Sequence, residues 1–223
     1  MLELADDAPN FAMGYAAQLY VSRRAQGLAD ELLPGLVAYV DGHPDVPAWR
    51  ALLAATHAEA GRLDEARAEL DRLAAQGFTD VPRTWTRPVT FALAAACAAL
   101  VGDRERAAQL HPLLALRRGQ LLVVASGTSC EGAVDRYLGA LEATLGEDRV
   151  ADASFAAALA LEESVGGTSL VVRTRVAQAR ALLHRPRPDR PAARKLLDEA
   201  ERTAARLGMA GVVAEVEALR GRS

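Results

Sequence analysis

Apolar residues recur at helical spacing along this chain, in paired stretches that a glycine interrupts. The clearest pair runs from Pro47 to Gly77 and has its break at Gly61, where a glycine suits the end of a helix. Two short helices joined by a brief break cannot each bury an apolar face alone, so they must pack on each other and on their neighbours. The residues that set this pattern, at steps of three and four, are Leu53, His57 and Ala60 before the glycine and Leu63, Ala66, Leu70 and Leu73 after it.

Similar glycines recur along the chain. Gly27 and Gly61 are 34 residues apart, Gly61 and Gly102 are 41 apart, and Gly102 and Gly146 are 44 apart. The recurring helix–glycine–helix unit predicts an all-α protein with almost no strand and at least four antiparallel helix pairs. We expect one domain, 1–223, with units at about 9–43, 47–77, 88–118, 129–167 and 168–207 and a C-terminal cap at 209–222.

These units resemble the tetratricopeptide repeat, whose period is about 34 residues. With Gly61 as the turn glycine, the small residues Ala54 and Ala66 fall where the helices of such a repeat cross closely. A second unit matches with its turn at Gly146, and carries Leu138, Gly139, Ala151, Phe155 and Ala158. The resemblance implies a tetratricopeptide-like superhelix of helix hairpins, an α-solenoid.

The order of the units is similar to the C-terminal helical-repeat region of large bacterial ATP-binding regulators of the LuxR-type and cyclase-linked classes. The helical pattern begins abruptly at the first residues, which suggests a fragment of such a regulator or a shortened relative. The sequence has no P-loop, cyclase or helix-turn-helix signature, so those activities do not carry over. The segments that carry the likeness are AAQLYVSRRAQG, VPAWRALLAATHAEAGRLDEARAEL, DRYLGALEATLG and VVRTRVAQARALLHR.

Composition narrows the class of partner. Apolar residues make up 51% of the chain but aromatic residues only 4%, which is typical of closely packed helices rich in Ala, Leu and Val. The net charge of −3 provides no general attraction to nucleic acid or to an anionic membrane. The N-terminus lacks a signal-peptide pattern, and the longest apolar run, Phe91–Val101, is far shorter than the ~20 residues of a membrane span. We therefore expect a cytoplasmic protein.

No motif predicts catalysis, so we expect no enzyme and no cofactor. Ser129 or Cys130 in the glycine- and serine-containing segment could be read as a nucleophile, but the spacing is not that of a nucleophile elbow. Thr128 and Glu131 are spaced as a capping box and predict the start of the helix that leads into Tyr137. The four histidines have no partners at ligand spacing, so no metal site is expected. The basic stretch 184–195 has no aromatic residue, and a solvated loop is favoured over a nucleic-acid contact.

The inner, concave face is the candidate binding site. Tetratricopeptide-like positions along it are mostly alanine, with a few charges, which suits an apolar helix or an extended segment of a protein partner. Such a partner could be another part of a longer parent regulator, and a homodimer is also left open. Tight packing that closes the groove is an alternative, as is a small-molecule effector pocket near 123–132 and the Arg136 helix. The residues predicted to contact a partner are Arg24, Glu59, Arg136, Ala55 and Ala140.

Overall fold

The computed structural model of the protein describes residues 9–124, 127 and 129–221. A short 3₁₀ turn, Ala29–Leu32, lies between the first two α-helices. The elements are α1 (Pro9–Gln26), α2 (Leu33–Gly42), α3 (Pro47–Glu59), α4 (Leu63–Leu73), α5 (Arg87–Val101), α6 (Arg104–Ala115), β1 (Leu121–Val124), β2 (Ser129–Ala133), α7 (Val134–Leu145), α8 (Asp148–Ser164), α9 (Thr168–His184), α10 (Arg190–Arg206) and α11 (Ala210–Gly221).

Four consecutive helix hairpins form the body of the molecule, namely α3–α4, α5–α6, α7–α8 and α9–α10. Left-handed glycines end the first helix of two hairpins, Gly102 with a φ of 71° and Gly146 with a φ of 80°. The first helices of successive hairpins also pack on one another, α3 on α5, α5 on α7 and α7 on α9. The predicted all-α, tetratricopeptide-like repeat fold is confirmed, whereas the exact division into five units and a cap stays a prediction.

Small side chains at the helix crossings let the backbones approach closely. Ala66 and Ala151 are completely buried in the second helices of their hairpins. Gly139 on α7 lies against Phe155 of α8, and a Cβ at Gly139 would be only 3.1 Å from the aromatic ring. On α5, Cys97 directs its Sγ at the Ala66 carbonyl oxygen, 3.7 Å away, and burial raises the pKa of its thiol to about 12. These crossings leave no space for larger side chains.

The first and last helices meet. α11 packs on α10 and also on α1, through a contact between Gly211 and Gly27. A Cβ at Gly211 would lie 2.5 Å from the Arg24 carbonyl oxygen and 2.7 Å from the Gly27 nitrogen, so only glycine fits there. The helical array therefore closes on itself.

A two-stranded antiparallel hairpin lies between α6 and α7. Leu121 pairs with Ala133, and Val124 pairs with Ser129. The predicted capping box at Thr128 and Glu131 is wrong as a helix start, because Glu131 belongs to β2 and α7 begins only at Val134. Thr128 itself lies outside the described residues. Pairing with β1 satisfies backbone groups that the capping box was expected to satisfy.

A buried network of charged and polar side chains joins α6, α7 and α8. Glu142 and Asp135, both on α7, are almost completely buried. Arg118 donates hydrogen bonds to Glu142 at 2.8 Å, to Asp135 at 3.2 Å and to the Ser154 hydroxyl at 2.8 Å. His111 lies at a repeat position where a large apolar residue is usual. Here its Nε2 lies 3.1 Å from Glu142 Oε1, so the histidine interacts with the buried carboxylate. The network compensates the burial of two carboxylates.

Enlarging the crossing alanines should destabilise the protein. Ala66→Leu and Ala151→Leu should each lower the free energy of unfolding by about 1–3 kcal/mol, because overpacking forces side chains and backbone apart. Arg187→Ala, at an exposed loop position, should stay within about 0.5 kcal/mol of the wild type. Denaturant unfolding checks all three variants. Wild-type stability in both leucine variants would contradict the close crossings.

Glu142 should make stability depend on pH in the acid range. Burial by itself raises the pKa of Glu142, but Ser154, His111 and Arg118 outweigh burial, and the pKa is lowered overall. Its contribution to stability is therefore present above the unfolded-state pKa and is lost as the pH falls through the lower folded-state value. Glu142→Gln should lower the free energy of unfolding by about 1–3 kcal/mol at pH 7.

The Glu142→Gln variant should also lose less stability than the wild type between about pH 5 and pH 2. Glu217→Gln, at an exposed position of α11, is the matched control and should follow the wild-type profile. Chemical unfolding across this pH range measures both effects. Parallel wild-type and Glu142→Gln profiles would show that Glu142 has no such role.

Candidate functional site

The closed array surrounds a central cavity of about 540 Å³. Residues of α1, α3, α5, α7, α9 and α11 line it, which are the inner helices together with the helix that closes the array. Three consecutive inner helices contribute two alanines each, three or four residues apart and therefore on one helix face. These alanines are Ala96 and Ala99, Ala140 and Ala143, and Ala177 and Ala181.

Four of the five predicted partner-contacting residues lie at this cavity. Arg24, Glu59, Arg136 and Ala140 line it, so the structure brings together residues from α1, α3 and α7. Ala55 does not line the cavity, which corrects the prediction. It is only 1% exposed because it belongs to the main hydrophobic core.

Arg24 and Glu59 form an ion pair across the cavity wall. Arg24 Nε donates to Glu59 Oε2 at 2.7 Å, and Arg24 Nη2 donates to Glu59 Oε1. Arg24 Nη1 also lies 3.7 Å from Glu131 Oε2, so it links α1 to both α3 and β2. Arg24 and Glu59, both predicted to contact a partner, are thus paired with each other, and neither has an uncompensated charge.

Arg136 is held in place by the protein and is only 6% exposed. Its Nη2 donates to the Glu131 carbonyl oxygen and, at 2.8 Å, to the Tyr137 hydroxyl. The Tyr137 hydroxyl donates to the same carbonyl oxygen at 3.0 Å. These bonds fix the position of the guanidinium, and contact of Arg136 with a partner stays a prediction. Arg136 Nη1 is buried and has no hydrogen-bond partner among the described residues.

The most informative cavity residue is one that the sequence analysis missed. Arg173 on α9 is partly buried and lines the cavity, yet it has no hydrogen bond or ion pair within the described part of the chain. Burial, together with the nearby positive charges of Arg24 and Arg136, lowers the pKa of Arg173 to about 10, although Glu59 and Glu131 act in the opposite direction. The sequence contains a pattern that identifies this position. Arg173, Ala177 and Arg180 on α9 have the same spacing, four residues and then three, as the inner residues 136, 140 and 143 of α7.

The cavity is basic although the protein is acidic. Six arginines but only three carboxylates line it, Glu59, Asp148 and Glu215, whereas the whole chain has a net charge of −3. Most of these arginines are engaged by the protein. Beyond Arg24 and Arg136, Arg104 donates to the carbonyl oxygens of Thr144 and Leu145, Arg180 to Glu215, and Arg185 to Asp152.

The contact of Arg185 with Asp152, at 2.5 Å, corrects the expectation that the basic stretch 184–195 is a wholly solvated loop. The irregular segment between α9 and α10 is short, and its first residue closes one end of the cavity. α10 then begins inside the same stretch, capped by Asp189, whose side chain accepts from the Ala192 nitrogen at 3.1 Å.

A second, much smaller pocket of about 60 Å³ lies where the β-hairpin meets α1, α3 and α5. Val124, Ser129 and Glu131 form its hairpin side. The Trp49 Nε1 and Ser129 Oγ atoms are buried there without a partner among the described residues. Its volume suits a water molecule or a small side chain and is far below the roughly 300–1,000 Å³ of ordinary small-molecule sites.

Comparison with known proteins agrees with the repeat architecture. The family model described as tetratricopeptide repeat matches residues 29–86, from the 3₁₀ turn through the α3–α4 hairpin. No curated protein and no solved structure matches the chain. None of the described helices is long and apolar enough to cross a membrane. Tetratricopeptide repeats generally mediate protein–protein interaction.

Removing the charge of Arg173 should stabilise the protein. A positive charge whose pKa is lower in the folded than in the unfolded state opposes folding at every pH below the folded value, and therefore at pH 7. Arg173→Met keeps the length of the apolar stem and removes this charge. We expect the free energy of unfolding to rise by about 1 kcal/mol, which raises the melting temperature by about 2–4 °C.

Differential scanning calorimetry at pH 7 and low salt measures this difference. Arg175→Met is the matched control on the same helix, because Arg175 pairs with Glu199 at 3.4 Å and with Glu163 at 3.8 Å. That variant should be no more stable than the wild type. A lower melting temperature for Arg173→Met would mean that Arg173 has a stabilising partner in the folded protein.

Proposed function

We propose that this protein is an interaction module that binds a segment of a protein partner in its central cavity. The observation that carries the proposal is the alanine-lined wall contributed by α5, α7 and α9, together with the charged residues that also line the cavity. Small side chains let a helix or an extended segment approach the wall closely, and the charged residues set its direction and register. The partner is a protein or another part of a longer parent regulator.

The regulatory context belongs to this proposal as well. It is supported by the order of the helical units, which is similar to that of the repeat regions of bacterial signalling and transcription-regulating proteins. The match of residues 29–86 to the tetratricopeptide repeat supports the interaction role, and it leaves the partner to be identified.

A small-molecule effector is the second candidate function. The central cavity has the volume of an ordinary small-molecule site, and its excess of arginines favours an anionic ligand. The effector pocket predicted from the sequence lay near residues 123–132 and the Arg136 helix. The pocket at the β-hairpin is too small for more than a few atoms, whereas Arg136 lines the central cavity.

Filling the cavity tests the proposed function. Peptides that bind the wild-type protein are selected from a displayed random library, and their affinities are measured by fluorescence polarisation. Ala140→Trp places an indole on the alanine wall and should weaken binding at least tenfold, because the segment loses its contact surface. Ala157→Trp makes the same substitution at an exposed position of α8 and should leave the affinity unchanged.

Circular dichroism and thermal melting first establish that both tryptophan variants are folded. Equal binding of the selected peptides to Ala140→Trp and Ala157→Trp would place the binding surface outside the cavity. Failure to select any peptide that binds the wild-type protein would also count against the interaction role. The small-molecule effector would then be the favoured function.

A further inference from the structure

The end of the central cavity formed by α1, α7 and α9 contains more positive than negative charge. Arg24, Arg136 and Arg173 line this end of the cavity together with Glu59. Glu131 lies against Arg24 outside the cavity lining, and its charge also acts on Arg173. Both carboxylates lie against Arg24, Glu59 in a two-point ion pair and Glu131 at 3.7 Å. Both carboxylates are thus engaged by Arg24, and Arg173 lines the cavity without a hydrogen-bond or ion-pair partner among the described residues.

Arg173 has unused capacity to bind a ligand. A guanidinium carries five N–H donors in a planar fork and no acceptor, a geometry that matches the oxygens of a carboxylate or a phosphate. No described residue accepts a hydrogen bond from Arg173, and Arg136 Nη1 nearby is also without a partner. A partly buried, unpaired charge is unfavourable for folding, so its presence in a cavity indicates a ligand that compensates it.

The surroundings of Arg173 limit the shape of that ligand. Arg173 and Ala177 share one face of α9, and Ala140 lines the cavity from the neighbouring inner helix α7. A ligand with its oxyanion at Arg173 would therefore extend its remaining atoms along an apolar wall. The cavity volume of about 540 Å³ lies within the range of ordinary small-molecule sites.

We propose that the Arg173 end of the central cavity is a binding site for the oxyanion, phosphate or carboxylate, of a small molecule. This inference goes beyond the proposed binding of a protein segment and does not depend on it. Arg173 makes the principal contact, while Arg24 and Arg136, fixed by their own hydrogen bonds, contribute a positive potential. Occupation of this end by a small anion would also compete with any segment that reaches it.

Direct binding measurements with defined anions test the site. Inorganic phosphate and succinate are titrated into the full chain by calorimetry, and thermal shifts are recorded at the same ionic strength with sodium chloride as reference. We expect a saturable rise in melting temperature with at least one of the two anions. Arg173→Met should weaken that binding at least tenfold, and Arg173→Lys, which keeps the charge but loses the fork, should have an intermediate effect.

Arg175→Met is the control, because this neighbour on α9 is paired with Glu163 and Glu199 and does not line the cavity. It should bind the same anion within twofold of the wild type. The proposal is overturned if neither anion binds the wild type saturably, or if Arg173→Met binds as tightly as Arg175→Met. An acidic hexapeptide is titrated in parallel. The proposal is also overturned if Arg173→Met weakens binding of this peptide but not binding of either small anion.

The outcomes separate this proposal from the proposed function. Anion binding that requires Arg173, together with peptide binding that ignores Ala140→Trp, would sustain the oxyanion site and reject the segment site. Peptide binding that requires an open alanine wall, without any small-anion binding, would do the reverse.

Discussion

The close approach of helix backbones across alanine and glycine is the constraint on which this structure depends. Where Ala66, Ala151 and Gly139 lie at crossings, the absence of bulk lets paired helices share a tight interface. Dispersion contacts in such an interface are individually weak but numerous, and they hold together a core in which aromatic residues are few. Other alanines, on α5, α7 and α9, face the cavity. The high alanine content of the chain therefore provides both the close packing of the hairpins and the smooth wall of the cavity.

Closure of the array adds a second consequence of small residues. A solenoid of helix hairpins ordinarily leaves two exposed ends that need caps. Here α11 covers the last hairpin and reaches α1, and the contact depends on Gly211 lying against the backbone at Arg24 and Gly27. The inner face is consequently a cavity lined by residues of both α1 and α11. A ligand that contacts both of these helices would stabilise the closed arrangement of the array, because binding to one conformation favours that conformation.

The charged groups of the cavity show how the protein manages buried cations. Arg104, Arg136, Arg180 and Arg185 each donate to a carbonyl, hydroxyl or carboxylate oxygen of the protein. Such pairing compensates the loss of hydration that each guanidinium suffers. Arg173 is the exception among the described cavity residues, and its lowered pKa reflects that exception. A similar principle operates outside the cavity, where Arg118 and His111 compensate the buried Glu142. The other arginines of the cavity have partners within the protein, so the unpaired Arg173 indicates a functional role.

The sequence by itself determined the fold class. Helical periodicity and the glycines at 61, 102 and 146 are local signals, because a helix face and a left-handed turn each depend on a few neighbouring residues. The same spacing located Arg24, Glu59, Arg136 and Ala140 on the inner face. Applied to α9, the first helix of the last hairpin, the same spacing would also have found Arg173.

Only the tertiary structure decided what those residues do. The pairing of Arg24 with Glu59 and the burial of Ala55 depend on segments far apart in the chain. The meeting of Gly27 with Gly211 joins opposite ends of the protein. No local pattern encodes such contacts, because they arise from the accumulated angles between successive hairpins. Periodicity therefore predicted which side chains face inward, and long-range packing decided which of them keep a free charge.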